Sequence, residues 1–186
     1  MYIQSLKEKL SPDLVGAKAS SLSALFGYGF SVPDGFAITK KVLETYTIEK
    51  KFPVGFEHSL KDCLDTLNSQ KIIIRSSAIG EDSDSFSFAG QLDSFVVHNT
   101  MEATLLAIKN CWNGLNNDRV IAYEKLSGKK LEEMGVVIQE FIEADYAGVT
   151  FTSSPYDVDQ IYTEYVKGAG EQLVSGKVTP KNFSVN

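Results

Sequence analysis

Two cysteines and two histidines are all that the 186 residues contain of the side chains that most often build disulfides, zinc sites and catalytic triads. Cys63 and Cys111 lie far apart without metal-ligand spacing, which fits two packed thiols in a reducing compartment better than a disulfide framework. Neither His58 nor His98 stands near a serine-nucleophile motif or a second metal ligand, which argues against triad or zinc chemistry. No apolar run approaches the roughly 20 residues of a membrane-spanning helix. The opening MYIQSLKEKLSPDL lacks the apolar core of a signal peptide. Basic residues are also short: 18 Lys and Arg face 24 Asp and Glu, for a formal net charge of -6. The basic surface that nucleic-acid binding needs is therefore missing. A nucleotide is not excluded, because a few converging cations suffice for it.

What is present has the composition of a soluble, cytoplasmic globular protein, 43% hydrophobic and 23% charged, long enough for one ordinary domain or two small lobes. Ala19, Leu22, Leu25 and Phe26 fall at helical spacing between Gly16 and Gly29. FSVPDGF follows as a turn. A second helix is expected after Thr39 as its N-cap, and a third through Phe56, Leu60, Leu64 and Leu67. The period then changes. Lys71 to Arg75 reads as a buried strand, Ser76 to Gly90 as a long loop, and Leu92 to His98 as a strand. Leu105, Ile108, Trp112 and Leu115 mark an amphipathic helix, and another is expected from Asp118 to Leu126. Gly135 to Ile142, Ala147 to Thr152 and Gln160 to Val166 read as antiparallel strands. Helices first and a strand cluster last predict an α+β fold, with mixed α/β lobes rather than a regular βαβ wind.

The strongest local signal for chemistry is the segment from Arg75 to Gln91. It sets an arginine, whose fork of donors matches phosphate oxygens, at the end of a buried strand. Hydroxyls follow, then Ser87-Phe-Ala-Gly90, small enough to bring backbone N–H groups close to an anion. The alternative is a solvent loop in which Arg75 pairs with Glu81 or Asp82. Lys18 opens a helix, where the positive helix end already favours anions; the alternative there is an ordinary surface lysine. No Walker A loop is present. Gly168-Ala-Gly170-Glu171 lacks the third glycine of a dinucleotide fingerprint, so a tight turn into a short helix is expected, with Glu171 as a polar contact.

In order along the chain, Gly16-x-Lys18-x-x-Ser21-Leu22, Val32-Pro-x-Gly-Phe36, Arg75-Ser-Ser-Ala with Glu81-Asp82, and Ser87-Phe-Ala-Gly-Gln91 form a series. Asn117-Asp-Arg119-x-Ile-x-Tyr123, Gly148-Val-x-Phe-Thr152 and Gly168-x-Gly-Glu171 through Val178-x-Pro180 continue it. The series resembles the N-terminal ATP-binding domain of the phosphoenolpyruvate synthase and pyruvate phosphate dikinase family. That resemblance implies an ATP-grasp fold, with two lobes, about 1–100 with 168–186 and 101–167, clamping ATP. It implies transfer of the β-phosphate of ATP to a histidine on another domain, and then to pyruvate or another acceptor. Lys18 and Arg75 would act on the phosphates as catalytic residues, with Arg119 nearby. Ser87, Gly90, Gln139, Glu140, Ile142 and Glu171 would complete the ATP site, the last strand residues as the adenine-facing hinge. The loop Ser83 to Gly90 would close as a lid. Magnesium would accompany ATP with ligands beyond residue 186, because the family's metal-binding acidic pair and Gln-x-Arg come later. The chain therefore reads as a nucleotide-binding domain with its C-terminal part missing, inactive alone. A truncated, non-catalytic nucleotide-binding or partner-docking module is the alternative. Ala17, Ile79, Glu124 and Val166-Lys-Gly-Ala-Gly170 depart from the family pattern.

Overall fold

A computed structural model of the chain describes residues 1–80, 82–83, 86–87, 92–128, 130–153, 159–174, 176 and 178–185. They divide into two compact units, Met1–Phe141 and Ile142–Asn186.

The first unit begins with β1 (Ile3–Ser5), α1 (Pro12–Val15), α2 (Ala17–Gly27), β2 (Gly35–Ile38), α3 (Lys40–Glu49) and α4 (Phe56–Thr66). It continues with β3 (Lys71–Ala78), the short pair β4 (Asp82–Ser83) and β5 (Phe86–Ser87), β6 (Ser94–His98) and α5 (Met101–Asn113). A 3-10 turn at Gly114–Asn116, α6 (Asp118–Ser127) and β7 (Met134–Glu140) complete it. Five strands form one sheet in the order β1-β2-β7-β3-β6, antiparallel at every step.

Each face of this sheet has its own cover. Phe56, Leu60 and Leu64 recur every fourth residue on α4. They are buried with Ile108 and Trp112 of α5 against Ile72, Ile74 and Ile138. On the opposite face, Val15 of α1 and Ala19 of α2 pack with Leu6, Leu10, Ala37 and Val137. Central β7 is covered on both sides, and all its residues but Glu140 are buried. That explains its nearly unbroken apolar sequence.

The second unit holds β8 (Tyr146–Phe151), β9 (Ile161–Lys167), α7 (Glu171–Val174) and β10 (Lys181–Val185). Its sheet runs β10-β9-β8, antiparallel throughout. Gly168, at φ 88°, turns the chain towards α7, the tight turn into a short helix that the sequence predicts.

The α+β class holds, with helices beside antiparallel sheets. Four details differ. The predicted loop from Ser76 does not begin there, because Ser76, Ser77 and Ala78 continue β3 opposite Val136, Gly135 and Met134. The Phe30 to Phe36 turn ends sooner than predicted, as β2 already starts at Gly35. The strand at Gly135 joins the first sheet rather than the later strands, its two-sided burial contrasting with the largely exposed β8. Thr39 does occupy the N-cap of α3, but its hydroxyl donates to the Met1 carbonyl (3.5 Å) instead of capping. Helices α5 and α6 lie in the first unit. Among the described residues, no helix is long and apolar enough to cross a membrane.

Candidate functional site

Arg75 sits in β3, and the pleat decides what it faces. Side chains alternate along a strand, so Ile72 and Ile74 enter the core under α4 and α5, while Ile73, Arg75 and Ser77 point to the other face. Arg75 stands opposite Val137 of β7 and Ser94 of β6, and Ile73 opposite Gln139 and Val96. Helices α1 and α2 cover this face only over Val137 and its neighbours. Towards β6 it lies open: Ser94, Val96 and His98 are exposed, and Ile73 and Arg75 are half-buried. The arginine thus marks the border between the covered and the open part of the sheet.

The start of α2 is fastened to the same strand. Gly16 adopts φ 85°, ψ 166° between α1 and α2, a backbone region essentially reserved for glycine. A Cβ there would run into the Ser77 carbonyl. The close approach lets the Ala19 N–H donate to the Ser77 hydroxyl (3.0 Å), satisfying one of the orphan donors of the helix. Lys18 Nζ donates to the Ser76 carbonyl at 2.6 Å. The lysine therefore reaches the residue beside Arg75 from the positive end of an 11-residue helix.

A third cation, Arg119 of α6, reaches the residue before β6. Arg119 Nη2 is 2.8 Å from Asp93 Oδ1, and Asp93 precedes Ser94, the neighbour of Arg75 across the ladder. The Ser76 hydroxyl donates to the Asp93 carbonyl (3.3 Å). Lys18, Arg75 and Arg119 are thus tied to adjacent positions on β3 and at the start of β6. Asp93 is the member that sequence reasoning does not single out; Ser76 and Ser77 figure there as loop hydroxyls and in the Arg75-Ser-Ser-Ala motif, not as residues of β3.

The remaining predicted residues fall elsewhere. Gln139 shares the face of Arg75, but it is buried and its Nε2 donates to the Pro33 carbonyl (3.1 Å), bracing the turn before β2. Glu140 Oε1 accepts the Asn68 N–H (2.8 Å). Ile142 and Glu171 are exposed residues of the second unit. Gly90 and the middle of the predicted lid lie outside the described residues, as does the side chain of Ser87. Among the described residues, no group of three or more His, Cys, Asp or Glu is arranged to hold a metal ion.

The departures from the resemblance have local accounts. Gly16 alone takes the positive φ of the turn, so Ala17 opens α2 without strain. Glu124 Oε1 accepts the Leu131 N–H (2.6 Å), tying α6 to the stretch before β7. Ile79 donates its N–H to the Glu133 carbonyl (2.9 Å) and extends the β3–β7 pairing.

Behind Ser76, on the helix side, lies the buried thiol of Cys111. Burial pushes it from its ordinary 9.0 up to about 11, against a hydrogen bond from Ser76 and the charge of Lys18. Half-buried Cys63 is also raised, by burial and then by Asp62. A thiol reagent at pH 8 is expected to modify Cys63 first, and Cys111 only when the chain unfolds; equal rates at both would contradict this packing. A raised thiol pKa makes the native state hold its proton longer than the unfolded one. Its contribution is therefore intact below about pH 9 and is lost towards about pH 11.

Comparison with known proteins decides the family. The model of the pyruvate phosphate dikinase AMP/ATP-binding domain matches residues 42–186. The chain belongs to that family. Similarity to curated proteins covers nearly the whole chain. An uncharacterized phosphotransferase of Bacillus subtilis, YvkC, is 33% identical across 95% of this chain and 24% of its own length. The prodigiosin synthesizing transferase PigC of Serratia marcescens is 30% identical across 94% and 22%. The phosphoenolpyruvate synthase of Aeropyrum pernix is 26% identical across 100% and 28%. The chain spans about a quarter of the length of these relatives.

Proposed function

We propose that this chain is the ATP-binding part of a dikinase-type phosphotransferase that passes the β-phosphate of ATP to a histidine on another domain. From there the phosphoryl group goes to pyruvate or another acceptor. The observation that carries the reading is that Lys18 bonds the residue next to Arg75 at an open sheet face, while Arg119 is tied to Asp93, next to Ser94, the ladder partner of Arg75. A transferring phosphoryl group spreads charge over its oxygens and needs mainly positioning and fixed positive groups. Lysine at a helix start supplies a point charge, and arginine a planar fork.

In this proposal the sheet face of Arg75 is the phosphate wall of an ATP-grasp site, the loop Ser83 to Gly90 its lid, and Gln139 to Ile142 the hinge beside adenine. Gln139 would act through the turn it braces, since its amide is committed to Pro33. Glu171 is a further ATP contact. Magnesium would screen the phosphates when bound, although the described residues offer no cluster fitted to hold it.

The test uses the full-length protein and ATP labelled at either the β or the γ position. Label from the β position is expected to remain on the protein as an acid-labile phosphohistidine, whereas the 186-residue chain binds ATP without turnover. A full-length protein labelled from neither position would sink the transferase reading and leave the non-catalytic nucleotide-binding module in its place.

A further inference from the structure

A cleft of about 590 Å³ opens in the first unit, lined by α3, α5, the 3-10 turn, α6 and residues 130–132. One wall is aromatic: Tyr46 and Trp112 pack with ring centroids 5.2 Å apart, tilted by 42°. Its carboxylates are already engaged. Glu124 accepts the Leu131 N–H, and Glu132 pairs with Lys130 at 3.7 Å. Its other two lysines are not. Neither Lys50 nor Lys109 has a carboxylate partner among the described residues. Lys109 Nζ instead lies 5.7 Å from the Tyr46 ring centroid and 5.4 Å from that of Phe52. Trp112 is 6% exposed, and its indole Nε1 has no hydrogen-bond partner. A buried polar group without a partner calls for an explanation.

The uncommitted groups point to one ligand chemistry. The indole N–H is sealed within the core, whereas the two ammonium groups line the cleft beside aromatic rings. A small anion carrying a flat ring answers both features: its charge meets the lysines, and its ring lies along Tyr46. We propose that this cleft binds a small aromatic anion, a carboxylate or a phosphate ester, at a site of its own apart from the Arg75 face. A ligand there would touch α3, α5 and α6 together. Trp112 also belongs to the core that supports β3.

Trp112 is the single tryptophan of the chain, so its emission reports on the cleft directly. Titration with phenyl phosphate and with benzoate is expected to give a saturable change for at least one of them, and none with uncharged benzyl alcohol. The tighter of the two identifies the anion. Lys109→Met and Lys50→Met should each weaken that binding about three- to tenfold, while Arg75→Ala leaves it unchanged. Tyr46→Leu, which keeps both charges, should weaken it by removing the ring contact. The proposal is overturned if neither anion saturates, if benzyl alcohol binds as well, or if the folded lysine variants bind like the parent. Loss of binding in Arg75→Ala would overturn it too, by moving the ligand to the strand.

Discussion

Arg75→Ala is expected to abolish most of the stabilisation that ATP confers on this chain, weakening binding by a factor of about 10 to 100. A hydrogen bond to a charged group contributes about 1.5–3 kcal/mol, and a fork of two such bonds to phosphate belongs at the upper end. At 1.4 kcal/mol per tenfold change, that range gives the stated factor. The stabilisation read in a thermal-shift experiment follows ligand concentration over dissociation constant. At an ATP concentration ten times the parent's dissociation constant, the stabilisation should fall to about a third of the parent's or less in the variant. The unliganded protein should be little affected, because Arg75 is half-buried at the edge of an open face and its neighbours in β3 carry the packing. Arg75→Lys keeps the charge without the fork and should fall between the two. Lys109→Met, at the separate cleft, should leave the ATP shift intact. An unchanged shift in Arg75→Ala would remove the arginine from the site.

The parts of this fold that the sequence disclosed are those where one periodicity governs many residues. The α4 helix announces itself because Phe56, Leu60 and Leu64 must all reach one core, and β3 because three consecutive β-branched isoleucines favour a strand. Short strands carry no such redundancy. β1 has three residues and β2 four, too few to show a period, and their place is set by partners far along the chain. Ser76 and Ser77 mislead for a different reason. Small hydroxyl residues usually mark loops, but here both are buried and bonded, to Asp93 and from Ala19, which makes them acceptable inside a ladder. The partner of β7 was likewise hidden, since its apolar run says that it is covered and not by what.

The candidate site divides along the same line. Lys18 is nominated because it stands at a helix start, and Arg75 because its sequence context reads as a strand end, although β3 runs on to Ala78. The Asp93–Arg119 contact is not, because it joins residues 26 apart through a surface ion pair. Gln139 shows the opposite case. Its position facing the site follows from the strand pattern, whereas its engagement with Pro33 depends on β2 lying beside β7. Residue type and spacing can thus nominate a ligand group, but only tertiary structure shows whether that group is already committed.

Gly16→Ala is expected to destabilise the first unit by about 3 kcal/mol or more, for two reasons that act together. A side chain at φ 85°, ψ 166° is held in a region that costs on the order of 1–3 kcal/mol for any residue but glycine. The added methyl would also meet the Ser77 carbonyl, which is backbone of a central strand and cannot swing away as a side-chain tip can. Relief requires α2 to lift from β3, which would break the bond from Ala19 to Ser77 and draw Lys18 from Ser76. For a chain of this size 3 kcal/mol corresponds to roughly 6–12 °C in Tm. ATP affinity should fall even at temperatures where the variant remains folded. Ala17→Gly, one position on, is the control: Ala17 needs no positive φ, and the exchange should cost under about 1 kcal/mol. Urea unfolding of the three proteins separates the cases. A Gly16→Ala midpoint equal to the parent's would mean that the turn relaxes freely, and that the seat of Lys18 does not depend on this glycine.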